Sequence, residues 1–164
     1  MHPAEQLDWA HFPDEALFRA LVAAGSDVLL VGPARAGKAT LLRSCGFNPR
    51  VVVECAVLRS LRSVQNDLLA QLTAACLPQW GRSPPRHFGA LLTALEGGSE
   101  SPGCLPLVFR DCGLFFAAAP ADFAIFFTRY ASFVDLLDRA GLRLQTLVLS
   151  RTDLPLPYAK CLLP

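Results

Sequence analysis

Charge is scarce in this sequence. Asp, Glu, Lys and Arg make up 18% of the 164 residues and balance to a formal +1. From such a balance, electrostatics alone predict no strong grip on nucleic acid. Metal-site spacing is missing too. The six cysteines (Cys45, Cys55, Cys76, Cys104, Cys112, Cys161) contain no C-x-x-C pair, and His2, His11 and His87 do not cluster near them, which argues against zinc. Most of these cysteines lie in apolar runs and read as buried, reduced thiols of an intracellular protein. No apolar run reaches the roughly 18 residues of a membrane span. The nearest, Leu114–Phe127, is broken by Pro120 and Asp122. The opening MHPAEQLDW lacks the basic-then-apolar order of a secretory signal, and no internal repeat is present.

What the sequence has is apolar residues: 52% of the chain, with a mean hydropathy of +0.36. Two readings account for this: a heavily buried α/β sheet, or a protein that covers part of its surface with partners. The length suits one domain, residues 1–164. Helical and extended patterns alternate, which predicts an α/β fold with a mostly parallel sheet. Pro13-Asp14-Glu15 starts a helix carrying Leu17, Ala20, Leu21 and Ala24, and Gly25 stops it. Strands are predicted at 27–31, 50–55, 105–111 and 143–150. Helices are predicted at about 38–45, at 61–76 with Leu61, Val64, Leu68, Leu72 and Ala75 on one face, at 87–95 and at 122–140. The last carries Phe123, Phe126, Tyr130, Phe133, Leu137 and Ala140 and is expected to pack on the sheet. Residues 78–86 read as loop and 97–103 as a flexible loop. The proline-broken tail DLPLPYAKCLLP shows no complete element.

One stretch carries chemistry. In VLLVGPARAGKATLLRSCG (Val28–Gly46), a strand-like run enters a G-x-x-x-x-G-K loop and a helix-like run leaves it. Gly32, Pro33, Ala34, Arg35, Ala36, Gly37, Lys38, Ala39 and Thr40 are therefore the candidate nucleotide-binding residues. Glycines at 32 and 37 are expected to let the backbone curl so that successive N–H groups meet phosphate, helped by the positive end of the following helix. Lys38 would reach the terminal phosphates. The pattern calls for Ser or Thr after the lysine, because that hydroxyl holds Mg²⁺, and here the residue is Ala39. Thr40 lies about 100° further round the helix and cannot take the same ligand position. The acid that shares the metal in such sites has one candidate, Asp111, after LPLVFR. The residue beside it is Cys112, not a glutamate that would polarise water. Bound ATP or ADP is therefore expected, with Mg²⁺ compromised and hydrolysis weak or absent. Of the nearby cations, Arg35 lies inside the loop, and Arg59, Arg62 and Arg110 lie close in sequence to the elements around it.

The order of these segments resembles the AAA+ ATPases and, within them, the fifth-subunit branch of the origin recognition complex. The likeness runs from about Phe12 to Thr152. VLLVGPARAGKAT matches the Walker A segment, and RVVVECAVLRSLRSVQNDLLAQL matches the second strand and its long helix. LPLVFRDCGLF matches Walker B with Asp111 as its acid, and LRLQTLVLSRTDL matches the sensor 1 strand with Ser150 at the polar position. The resemblance implies a P-loop NTPase, AAA+-like, three-layer core. The lid, the arginine-finger region, a fifth strand and the winged-helix domain have no counterpart, so the core reads as truncated. It further implies a DNA-binding, ring-forming complex in the nucleus that initiates DNA replication, with other origin recognition subunits as partners and origin DNA reached through the complex. By the same analogy, His11-Phe12 would lie near adenine. Two other readings stand beside it: a non-catalytic P-loop scaffold in signalling or DNA repair, and a small P-loop kinase.

Overall fold

Short apolar runs of four to eight residues become strands because both faces of the sheet are covered. The computed structural model describes residues 14–77, 84–97 and 103–164. Within them the strands are β1 (Val28–Val31), β2 (Val51–Glu54), β3 (Cys104–Arg110), β4 (Arg143–Ser150) and β5 (Ala159–Leu162). They form one sheet in the order β2-β3-β4-β1-β5, and every pairing is parallel. The helices are α1 (Glu15–Ala23), α2 (Lys38–Ser44), α3 (Leu61–Cys76), α4 (Phe88–Gly97), α5 (Cys112–Ala118) and α6 (Pro120–Arg139).

Alternation along the strands sorts the core into two layers around the sheet. Val28, Leu30, Leu147 and Leu149 pack with Phe18 of α1 and with Leu41 and Leu42 of α2. Leu29, Val53, Phe109 and Val148 face the other way, against α3, α4, α5 and α6. A three-layer α/β arrangement results. Its asymmetry follows from chain direction: the path runs outward from β1 to β2 and then back through β3 to β4. With crossovers of one hand, reversing direction puts the connecting helices on the opposite face.

The aromatic residues concentrate on the larger face. Phe109 of β3 meets Phe126, Phe127 and Tyr130 of α6 at ring separations of 5.7, 5.2 and 5.2 Å, all edge-on. Such pairs contribute roughly 0.5–1.5 kcal/mol each beyond burial. They anchor the end of β3, two residues before Asp111. Asp122 ties α6 to α3 by accepting the Leu61 N–H at 3.0 Å, and Ser60 and Ser63 form a reciprocal cap at the start of α3.

Several expectations need correction. The tail holds an element after all, and the fifth strand expected to be missing is present: β5 pairs with β1 from Val28↔Ala159 to Val31↔Leu162. It is a four-residue edge strand with only Cys161 buried, so it shows no apolar run. The segment after Asp111 is a separate helix, α5, which Pro120 divides from α6. On α1 the residue in the core is Phe18, while Leu17 is 37% exposed. Ala140 is the exposed C-cap of α6. Of the cysteines, Cys55, Cys76, Cys112 and Cys161 are buried and Cys104 is exposed. The expectations for His11-Phe12, Pro13, residues 78–83 and residues 98–102 lie outside the described residues. Among the described residues, no helix is long and apolar enough to cross a membrane.

Candidate functional site

At the carboxyl ends of the strands, β1 hands the chain to α2 on one face and β3 hands it to α5 on the other. The end of β4 lies between them. Open α/β sheets bind ligands in the crevice that such a divergence leaves. Here the crevice is a cleft of about 310 Å³ lined by Ala34, Arg35, Ala36, Gly37, Lys38, Ala39, Thr40, Arg110, Asp111, Leu149 and Arg151. The loop and the acid predicted to work together are thus brought to one place. They face each other across one intervening strand, about 10 Å between the β1 and β3 axes at ordinary strand spacing.

The loop curls at Gly37 as expected, but through Arg35 and not through Gly32. Gly37 has φ 89° and Arg35 has φ 65°, whereas Gly32 is not left-handed. Gly32 is required for space instead: a Cβ there would stand 2.8 Å from the Leu163 carbonyl oxygen. Its N–H donates to the Ser150 carbonyl at 2.9 Å, which ties the loop entrance to β4. Among the described residues no protein acceptor meets the N–H of Ala34, Arg35 or Gly37. The alternation around Arg35, Ala36 and Gly37 is the kind that turns successive N–H groups into an anion cradle. With only seven residues in α2, the loop amides rather than a helix dipole supply this donor set. Lys38 Nζ donates to the carbonyls of Gly32 at 2.5 Å and Pro33 at 2.9 Å. Partial burial holds its pKa below the ordinary lysine value; repulsion from Arg151 adds to this and attraction from Asp111 opposes it.

Asp111 is the second strained residue of the cleft, with φ 52°. Arg35 and Asp111 are the only non-glycine residues with positive φ among those described, and both line this cleft. Left-handed backbone costs an ordinary residue about 1 kcal/mol or more, less for Asp, and clusters where a site demands it. The Asp111 carboxylate faces Arg151, with Oδ1 3.8 Å from Nε. One strand further out, Glu54 holds Arg110 at 2.9 Å. Cys112, where the resemblance would call for a water-activating glutamate, is fully buried, and burial beside the Cys55 thiol pushes its own thiol up. It is a packed thiol and no base. Ser150 is buried, and its hydroxyl donates to the Thr152 carbonyl at 2.6 Å. Gly113 packs against that turn so closely that a Cβ would lie 2.8 Å from Ser150 Oγ. Ser150 therefore braces the α5 entrance and does not line the cleft.

No protein-family model matches this chain, and no curated protein matches it.

The residues present suit phosphate and do not suit a P-loop Mg²⁺. Free loop amides and Lys38 supply donors. Ala39 supplies only a methyl group, Asp111 is turned to Arg151, and among the described residues no group of three or more His, Cys, Asp or Glu is placed to hold a metal. Of the arginines singled out from sequence, Arg35 and Arg110 line the cleft. Arg59 instead donates to the Ala56 carbonyl at 2.6 Å, and Arg62 lines a separate cleft with Ser60 and Arg129. Arg151 was missed. Its signal was positional: it is the first residue past β4, the strand that separates the loop from the acid.

Proposed function

We propose that this chain is a nucleotide-holding subunit that binds ATP or ADP as a structural element and turns it over weakly or not at all. The observation that carries this reading is the pairing of two features in one cleft. A left-handed, donor-rich loop with Lys38 faces a strained Asp111, while the metal ligand and water activator that hydrolysis requires are replaced by Ala39 and Cys112. Backbone amides need no side chain at position 39, so phosphate binding survives the substitution that disables the metal.

The biological setting follows from the sequence resemblance. The segments around the loop, the second strand with its helix, Asp111 and Ser150 resemble the origin recognition branch of the AAA+ ATPases. We place the chain in the nucleus, within an origin recognition complex. There it contributes to assembly with the other subunits and reaches origin DNA through them to initiate replication. The expected test is co-purification of the tagged full chain with the other origin recognition subunits of the same cells, in ATP and after nucleotide depletion. Recovery that falls when nucleotide is removed, or when Lys38 becomes Ala, supports the reading. Recovery of an unrelated signalling or repair assembly instead would move the chain to the scaffold class.

A further inference from the structure

We propose that the cleft holds the phosphates of a nucleoside di- or triphosphate without a divalent cation, the Arg151 guanidinium taking the charge-balancing place of the metal. This rests on the nucleotide reading of the same site. Its grounds are positional and electrostatic. Arg151 leaves the end of β4, the strand between the Lys38 loop and Asp111, so its guanidinium enters the cleft between them. At 3.8 Å its contact with Asp111 is loose, and its side chain remains 55% exposed. Among the described residues, this ion pair is its one side-chain contact with a protein acceptor, and it is too long for a hydrogen bond. A guanidinium fork of this kind suits two phosphate oxygens at once.

The charges point the same way. Arg110 is spent on Glu54. That leaves Arg35, Lys38 and Arg151 against the single carboxylate of Asp111 among the lining residues, a balance that favours a polyanion. A Mg²⁺ ion arriving at Asp111 would have to displace Arg151 and sit beside Lys38, and it would find no hydroxyl at position 39. Asp111 in this arrangement is a loosely held counter-charge of Arg151, which phosphate can replace; it is not a metal ligand.

The two roles of Asp111 carry opposite signs in an experiment. ADP binding to the purified full chain is measured by calorimetry in EDTA and in Mg²⁺, for the native sequence and for Arg151→Ala, Arg151→Lys and Asp111→Asn. Unfolding temperatures without ligand confirm that each variant is folded. The native chain is expected to bind with Kd values within about twofold in the two buffers. Arg151→Ala is expected to weaken binding about tenfold or more in EDTA, the loss of a charge-assisted contact, and Arg151→Lys to recover part of it. Asp111→Asn is expected to leave binding unchanged or tighten it in both buffers, because it removes the one negative charge facing the phosphates. Binding that needs Mg²⁺, an Arg151→Ala variant equal to the native chain, or an Asp111→Asn variant weakened only in Mg²⁺ would each overturn the proposal and leave the nucleotide reading standing. No binding of ADP or ATP by the native chain in either buffer would overturn both.

Discussion

The sheet carries a polar cluster at each end of its strands, and the two are built to different ends. At the amino ends, Asp27 accepts the Thr146 N–H at 2.9 Å, and the Thr146 hydroxyl meets the Tyr130 hydroxyl at 2.6 Å. Beside them Gln145 donates to the Val22 carbonyl at 3.0 Å, and Arg143 donates to the Gly25 carbonyl. These groups satisfy one another, and their backbone is unstrained apart from glycine. At the carboxyl ends, Arg35 and Asp111 adopt left-handed backbone, loop amides lack protein acceptors among the described residues, and Arg151 stands 3.8 Å from its partner. Polar groups that close on each other hold a fold together, and polar groups left open at a strained turn are available to a ligand. Changes at the first end should therefore move stability, and changes at the second should move binding.

The largest effect is expected from Lys38→Ala. Loss of a charged donor to phosphate should weaken ATP binding by about 2–3 kcal/mol, with little change in unfolding temperature, since among the described residues Lys38 Nζ hydrogen-bonds only loop carbonyls. The contrasting change is Tyr130→Phe. It leaves the buried Thr146 hydroxyl without its partner and should cost about 1–2 kcal/mol of stability by denaturant unfolding, with ATP affinity unchanged. Adding Thr146→Val should cost less than the two single changes summed, because the second removes the group the first has orphaned.

Asp27→Asn separates the two ends by pH. Burial raises the Asp27 pKa above 3.8, against the lowering pull of the Thr146 N–H and Arg143. The folded state therefore holds the proton more tightly than the unfolded chain, and the ionised form is the costly one at neutral pH. As pH falls through the folded value toward 3.8, the native protein should regain stability relative to the Asn variant. An Asn oxygen still accepts from Thr146, so at pH 7 the variant should unfold at an equal or higher temperature, and the advantage should vanish below the folded pKa. The smallest effect on stability is expected at Arg35. Arg35→Gly removes the left-handed penalty but frees the unfolded chain, for a net gain below about 1 kcal/mol in thermal unfolding.

How much of this could be read beforehand depended on how local each signal was. β1, β4 and the core face of α6 declare themselves through burial: Val28–Val31 is buried throughout, and Phe123, Phe126, Tyr130, Phe133 and Leu137 face the core. The loop announces itself because glycine and lysine at fixed offsets are rare together. β5 hides because three of its four residues are exposed on an edge. α5 merges with α6 in one apolar stretch until Pro120 is seen to open the second helix. The left-handed turns at Arg35 and Asp111 carry no glycine to mark them. Arg151 is invisible as a site residue until strand order puts β4 between the loop and the acid.

The most direct test of a nucleotide-holding cleft is equilibrium binding of ATP to the full chain in EDTA, beside Lys38→Ala. Saturable one-site binding by the native chain, at least about tenfold weaker in the variant, is the expected result. Binding that Lys38→Ala leaves untouched, or no binding at all, would contradict it and leave the strained cleft without a phosphate ligand.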